Sequence, residues 1–156
     1  MEQSRPTSVI PAGRVAVVAH DAGGAEILSS WIRRNQPDHM AVLGGPASRI
    51  FKRNIPDLST SEMMKAIEQS EWVLSGTGNT DLEYQAIAAS KRIGRYVVVF
   101  LDHWTGFQTR FIRDGKVALP DEIWVGDEDA LVLVRRMFPE IKSMLFPNDI
   151  LFYWVF

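Results

Sequence analysis

Short apolar runs alternate along the chain with longer segments in which apolar residues recur every three or four positions. The apolar runs lie at residues 14–19, 40–43, 72–74, 96–101, 123–125 and 144–146. The periodic segments include residues 25–35, 47–53, 61–70 and 128–137. A short continuous apolar run is typical of a buried strand, and a 3.6-residue period is typical of an amphipathic helix. The pattern therefore predicts strands that alternate with helices.

The predicted strands are apolar throughout rather than at every second position. Strands of this kind are buried on both faces, in a parallel sheet that helices cover on each side. We therefore predict a three-layer α/β/α domain of Rossmann-like type with a mainly parallel sheet. A polar N-terminal tail over residues 1–13 precedes this single domain, which we assign to residues 14–156.

Three helices have start signals. Ser59 with Glu62, and Thr80 with Glu83, have the spacing of a capping box, in which two side chains satisfy backbone amides of the first turn. The helix that starts at Thr80 is predicted to end at Gly94. The three carboxylates of residues 127–129 suit the positive end of a helix dipole and would repel a phosphate, so we assign them a structural role.

Composition and charge exclude several classes of protein. Seventeen basic and nineteen acidic residues give a net charge of −2 without a basic cluster, which argues against a nucleic-acid partner. No cysteine is present, which excludes thiolate metal sites, iron–sulfur clusters and thiol nucleophiles and fits a cytoplasmic protein. No apolar run approaches the ~20 residues of a membrane span. The spacing of the three histidines does not indicate a metal site, and we expect no cofactor.

Polar and glycine residues follow the predicted strands, at the edge where such sheets bind ligands. After the first strand come His20, Asp21, Gly23 and Gly24. The glycines would let backbone amides approach a ligand at a helix N-terminus, and His20 would act as an acid, a base or a hydrogen-bond donor. Alternatively, the glycines only form the turn and Asp21 caps the helix. The G-x-G-x-x-G fingerprint is absent, which argues against a nicotinamide enzyme.

The loop after the strand at 72–74 is the stronger candidate for binding phosphate. It combines two glycines with hydroxyl side chains directly before a helix, so that amide donors and the helix dipole would face one anion. The alternative is a capped turn without a ligand. The candidate ligand-binding residues are Ser75, Gly76, Thr77, Gly78, Asn79 and Thr80.

The connection over residues 102–121 is long, and long connections are often functional or partly helical. Trp104, Phe107 and Phe111 recur at helical spacing, which predicts a helical turn packed on the domain. His103, Arg110 and Asp114 would then share an adjoining face with Phe107. Arg110 and Arg113 are candidates for binding a phosphate or carboxylate. Asp102 and His103 are candidates for acid–base catalysis.

Four parts of the chain resemble the N-terminal Rossmann-like half of GT-B-type proteins that handle nucleotide sugars. That group includes bacterial surface-polysaccharide glycosyltransferases and UDP-sugar 2-epimerases. The resemblance spans about residues 14–148. The matching segments are residues 19–26 (AHDAGGAE), 75–83 (SGTGNTDLE), 101–104 (LDHW) with 110–111, and 119–125 (LPDEIWV).

The resemblance implies a nucleotide-sugar-related function in surface-polysaccharide biosynthesis. The glycine loops would contact phosphate or acceptor, and His20, Asp102 or His103 would supply acid–base chemistry. Because GT-B proteins hold the nucleotide mainly in a second domain, the resemblance also implies a second domain or a partner chain. The alternative is a non-catalytic module that binds a nucleotide or sugar phosphate, or docks to a partner. The apolar segment 151–156 (LFYWVF) is expected to complete the core or to form a homodimer contact.

Overall fold

The computed structural model describes residues 10–78, 80–102, 106 and 109–146, and within this part the chain forms five helices and eight strands. The helices are α1 (Ala22–Asn35), α2 (Pro46–Asn54), α3 (Met63–Glu68), α4 (Asp81–Arg92) and α5 (Glu128–Met137). The strands are β1 (Val15–Ala19), β2 (His39–Leu43), β3 (Trp72–Ser75), β4 (Tyr96–Leu101), β5 (Ile112–Arg113), β6 (Lys116–Val117), β7 (Glu122–Val125) and β8 (Lys142–Leu145).

Six of these strands form one sheet in the order β2-β1-β3-β4-β7-β8, and each neighbouring pair is parallel. The predicted parallel sheet is thus confirmed. The chain runs from β1 outward to β2 and then crosses to the other side of β1 to form β3. In parallel sheets, a crevice opens at the carboxyl ends of the two strands between which the order reverses. Here those strands are β1 and β3.

Helices cover both faces of the sheet, which confirms the three-layer architecture. Helices α1 and α2 pack on one face, and α3, α4 and α5 pack on the other. On the first face, the rings of Trp31, Trp72 and Trp124 lie 5.9–6.3 Å apart, mostly edge to face. Strand β1 lies between β2 and β3, and each of its five residues is fully buried. Burial on both faces explains why its sequence is apolar throughout.

Neither predicted capping box forms. Glu62 is itself the N-cap of α3, where its carboxylate accepts a hydrogen bond from the Met64 amide at 2.7 Å. Thr80 occupies the N-cap position of α4, but its side chain makes no capping hydrogen bond. Glu83 instead turns toward β1, because a tertiary partner is available there. Asp127 does cap α5 by accepting from the Ala130 amide, which supports its predicted structural role.

Helix α1 begins three residues earlier than predicted, so Gly23 and Gly24 lie in its first turn rather than in a loop. Asp21 is its N-cap residue, but the side chain makes no capping hydrogen bond. The interpretation of these glycines as turn formers is therefore wrong. Helix α4 ends close to the predicted position, and Gly94 follows it with a φ of +77°.

In the described part of the connection after β4, the helix is a single 3₁₀ turn, Thr109–Phe111, in which Phe111 is buried. This turn leads into the antiparallel hairpin of β5 and β6. Asp114 and Gly115 form the tip of the hairpin, both with positive φ, as two-residue hairpin turns require. Asp114 therefore shares no helical face with Arg110. His103, Trp104 and Phe107 lie outside the described residues.

Two further predictions concern a membrane span and the apolar segment 151–156. Among the described residues, no helix is long and apolar enough to cross a bilayer. The segment 151–156 lies outside the described residues, so its predicted role in the core or in a homodimer stays a prediction.

We expect Phe146→Ala to lower the free energy of unfolding by about 3–5 kcal/mol, because it removes a buried ring and leaves a cavity. Phe146 is 1% exposed and packs edge to face against Phe100 and Trp124. Denaturant unfolding would measure the loss. Val132→Ala, at an exposed site on α5, should change stability by no more than about 0.5 kcal/mol. Equal effects of the two substitutions would contradict this packing.

Candidate functional site

Residues that follow β1, β3 and β4 meet at the carboxyl edge of the sheet. Asp21, after β1, lies against Gly78, after β3. Asp102, after β4, lies against Gly23 in the first turn of α1. The structure thus brings together three of the loops to which the sequence assigned candidate chemistry, at the crevice where the strand order reverses.

His20 and Asp21 form an ion-pair contact at this edge. The distance from His20 Nδ1 to Asp21 Oδ1 is 2.8 Å, and the two side chains are 27% and 36% exposed. In the tautomer with the proton on Nδ1, Asp21 Oδ1 accepts a hydrogen bond from Nδ1–H, and the lone pair of Nε2 can accept a proton. The pair is therefore accessible to a ligand and suited to proton transfer.

The β2–α2 loop holds the His20 ring from the other side. The ring lies against Gly44 and Gly45, and a β-carbon at Gly45 would come within 2.6 Å of the ring carbon Cε1. Gly45 also has a φ of +50°, which L side chains rarely adopt. The imidazole is thus positioned by Asp21 and by a backbone that tolerates no side chain.

Glu83, in the first turn of α4, is buried beside this pair and is 3% exposed. Its Oε1 accepts a hydrogen bond from the backbone amide of His20 at 2.8 Å. Burial is the main reason that the pKa of Glu83 rises from 4.5 to about 7, and the charges of Asp21 and Asp102 raise it further. The hydrogen bond from His20 and the charge of its ring act in the opposite direction.

Sequence reasoning missed Glu83 as a site residue. The T-x-x-E spacing explained this glutamate locally, as part of a capping box. Only the packing of α4 against the end of β1 reveals the tertiary contact. The remaining sequence signal is weak: an acidic residue one helical turn after a glycine-rich loop.

Asp102 and Arg110 form a buried ion pair, with side chains 4% and 7% exposed. Arg110 Nη1 lies 3.4 Å from Asp102 Oδ1 and donates to the backbone carbonyl of Thr77 at 2.6 Å. The Thr77 hydroxyl donates in turn to the Phe100 carbonyl at 3.1 Å. Arg110 therefore joins the chain after β4 to the end of β3. The contact of Arg110 with a ligand stays a prediction, while its contacts with Asp102 and Thr77 are present in the structure.

Arg113 is also engaged within the protein. Its guanidinium donates to Asp81 Oδ1 at 3.1 Å and to the carbonyl of Thr109 at 2.8 Å, and it lies over the Tyr84 ring. These contacts fasten the β5–β6 hairpin to the start of α4.

Two glycines at the site allow carboxylates to approach the backbone closely. A β-carbon on Gly23 would lie 2.7 Å from Asp102 Oδ2, and one on Gly78 would overlap the Asp21 carboxylate. Asp102 thus lies at the start of α1, and Asp21 lies against the loop that precedes α4. Both positions are electrostatically favourable for negative charge. Two carboxylates of the protein thus lie beside the two loops for which the sequence predicts a ligand, and the predicted phosphate contact stays a prediction.

The loop predicted to bind phosphate is otherwise turned inward. Ser75 is fully buried and its hydroxyl donates to the Gly76 carbonyl, and Thr77 is 4% exposed. The Thr80 hydroxyl is buried without a partner among the described residues. Asn79 and His103 lie outside the described residues, so their predicted roles stay predictions. No group of three or more histidine and acidic residues in the described part of the chain is arranged to hold a metal ion.

Comparison with known proteins supports the fold and assigns no activity. No protein-family model matches the sequence, and no curated protein matches it. One similar solved structure is described as "The crystal structure of hypothetic protein SMU.573 from Streptococcus mutans", with a TM-score of 0.53 and 13% sequence identity. The similarity covers 90% of this chain and 62% of that chain, so this chain spans less than two thirds of that protein's length. At this identity the likeness concerns the fold alone.

We expect Gly23→Ala and Gly24→Ala to have opposite effects on the free energy of unfolding, although both glycines lie in the first turn of α1. A β-carbon at Gly23 displaces the buried Asp102 carboxylate, which should cost about 1–3 kcal/mol. A β-carbon at Gly24 makes an ordinary contact with Gly76 at 3.7 Å, so alanine there should be neutral or stabilise the fold by up to about 1 kcal/mol. Denaturant unfolding of the two variants measures the difference, and equal effects would contradict the close approach of Asp102.

Glu83 should make stability depend on pH. Its pKa is raised in the folded state, so the folded protein binds this proton more tightly than the unfolded chain does. The contribution of Glu83 to stability is therefore fully present below about pH 4.5 and is lost as the pH rises through about 7. We expect this group to lower the free energy of unfolding by up to about 3 kcal/mol between those limits.

Unfolding measured at several pH values would isolate this contribution through Glu83→Gln, which keeps the shape of the side chain and removes its titration. We expect the variant to lose less stability than the wild type between about pH 5 and 8. Parallel stability profiles of the two proteins would show that Glu83 does not titrate in this range.

Proposed function

We propose that this chain acts on a nucleotide sugar or sugar phosphate in surface-polysaccharide biosynthesis, with proton transfer at the carboxyl ends of β1 and β3. The observation that carries the proposal is the accessible His20–Asp21 pair at the crevice where the strand order reverses. The substrate class comes from the resemblance to GT-B-type proteins. The architecture agrees with that resemblance, because the fold is a three-layer α/β/α domain.

The His20–Asp21 pair suits both reactions that the resemblance implies. Glycosyl transfer requires a base that takes the proton of the attacking hydroxyl, and epimerisation requires a base that takes a proton from carbon. With Asp21 bound at Nδ1, the imidazole accepts a proton at Nε2 and the carboxylate stabilises the resulting imidazolium. We assign His20 the role of base and Asp21 the role of orienting it.

Asp102 has a supporting role in this proposal. Its carboxylate faces Arg110 and Gly23, so it joins β4, the 3₁₀ turn and the start of α1 behind the pair. Its side chain is 4% exposed, which keeps it away from a ligand in the present arrangement. A direct catalytic role of Asp102 or His103 remains part of the prediction from the sequence.

The charges at the crevice suggest how the ligand is oriented. Asp21 and Asp102 lie at the loops and helix starts that face the crevice, and a phosphate beside them would be repelled. We therefore propose that the sugar hydroxyls enter this crevice and that the phosphates are held elsewhere, by a second domain or partner chain. The proposal includes a cytoplasmic location, which rests on the cysteine-free composition.

A second candidate is a non-catalytic module that binds a nucleotide or sugar phosphate, or docks to a partner chain. The buried cluster of Asp102, Arg110 and Thr77 favours it, since these groups bond to one another and stabilise the loops without needing a ligand. The two candidates differ in whether the His20–Asp21 pair transfers a proton.

Calorimetric titration with UDP-, CDP- and GDP-sugars and their bare nucleotides, combined with a product assay, tests the proposal. We expect His20→Ala to retain binding within about threefold and to lower product formation by about 10²–10⁴-fold, the range for loss of a general base. His39→Ala is the matched control. His39 begins β2 at the opposite edge of the sheet, where its Nδ1 lies 3.0 Å from the Pro37 carbonyl oxygen.

The outcomes separate the candidates. Binding without product formation by the wild-type protein would favour the non-catalytic module. Equal activity of His20→Ala and wild type would exclude His20 as the base. An absence of binding across the whole panel would contradict a sugar site on this chain, and binding of the bare nucleotides would contradict the assignment of the phosphates to another domain or chain.

A further inference from the structure

Glu83 is a buried ionisable group to which the proposed proton transfer assigns no role. We infer that Glu83 is a positioning residue of the site, which fixes the backbone of His20 and thereby orients the His20–Asp21 pair. What the pair does rests on the proposed function. The contact between Glu83 and His20 does not, so it is tested without a ligand.

His20 lies just beyond the end of β1, where the sheet no longer supports the chain. Its amide donates to Glu83 Oε1 at 2.8 Å, and its carbonyl accepts from the Ala47 amide at 3.0 Å. One backbone group of His20 is thus held by α4 and the other by the start of α2. Of these two contacts, the one to Glu83 involves a side chain. It is therefore the contact that a substitution removes without altering the backbone.

The second carboxylate oxygen of Glu83 is the more informative atom. Oε2 is buried and has no hydrogen-bond partner among the described residues. The carboxyl group packs beside Gly76, 3.5–3.7 Å from the position of a β-carbon there, which is ordinary van der Waals contact. A buried acceptor without a partner is costly, and protonation lowers that cost by removing the charge. Oε2 is thus the natural place for a proton while Oε1 holds His20.

Charged groups face Glu83 from several elements. Asp21 and Asp102 face it from the ends of β1 and β4, and the His20 ring is the nearby group of opposite charge. Asp81 lies on the same helix, where Arg113 binds it, and Arg110 lies behind Asp102. Burial raises the pKa of Glu83, and the two neighbouring carboxylates raise it further.

Nuclear magnetic resonance on the ligand-free protein tests the inference. The side-chain carboxyl carbon of Glu83 and the backbone amide proton of His20 are followed as the pH is raised from about 4 to 9. We expect both signals to change with one shared midpoint near pH 7, where the pKa of Glu83 lies. In Glu83→Gln, the amide proton of His20 should lose that transition while the His20–Asp21 contact persists.

Hydrogen exchange of the same amide provides the second readout. We expect Glu83→Ala to accelerate exchange of the His20 amide by about tenfold or more and Glu83→Gln to change it by less than about threefold, because glutamine still offers a carbonyl acceptor. Glu62→Gln is the matched control. Glu62 also accepts a backbone amide at a helix start, but it is exposed and lies away from the site.

Two results would overturn the inference. The first is a Glu83 carboxyl signal with the same midpoint pH as the signals of exposed glutamates. The second is a His20 amide signal that does not change over the pH range in which Glu83 titrates. Both can be obtained from the wild-type protein alone, even where a variant fails to fold. If the nuclear magnetic resonance result holds and no ligand binds, the positioning contact stands and only the proposed function fails.

Discussion

A hydrogen bond joins helix α4 to the end of β1: the backbone amide of His20 donates to the buried carboxyl group of Glu83. This bond holds the Glu83 carboxyl group, which is 3% exposed, beside Asp21 and Asp102. The fixed backbone of His20 and the position of the imidazole depend on it, while burial of the same carboxyl group raises its pKa. Removing it would leave the residue after β1 held on one side only, by the start of α2.

The glycines of the crevice have a role that differs from the one their sequence pattern suggests. Gly23 and Gly78 are small so that Asp102 and Asp21 can approach the backbone, rather than to form turns. The protein thus places two carboxylates beside the loops that the sequence assigns to a ligand. This arrangement is why the proposed function assigns the crevice to the sugar and its proton transfer, and assigns the phosphates to another domain or chain.

Much of the fold could be predicted because its elements follow from local pattern. The apolar run at β4 was predicted over its full length, and so was helix α5. The site was predictable only in part. His20, Asp21 and Asp102 could be named because parallel strands end at one edge of a sheet, so polar residues after those strands converge. Glu83 and the internal contacts of Arg110 could not, because their partners lie 63 and 33 residues away along the chain.

The sequence by itself determined the alternation of strands and helices, the parallel sheet and the edge where the polar residues gather, since periodicity and burial act over short segments. Tertiary structure alone decided which of those residues touch. Thr80 and Glu83 have the spacing of a capping box. Glu83 nevertheless accepts from the His20 amide, because α4 packs beside the end of β1, where that amide lies. Local spacing allows a side chain several hydrogen-bond partners. Packing selects among them, because a backbone donor that is removed from water must find an acceptor.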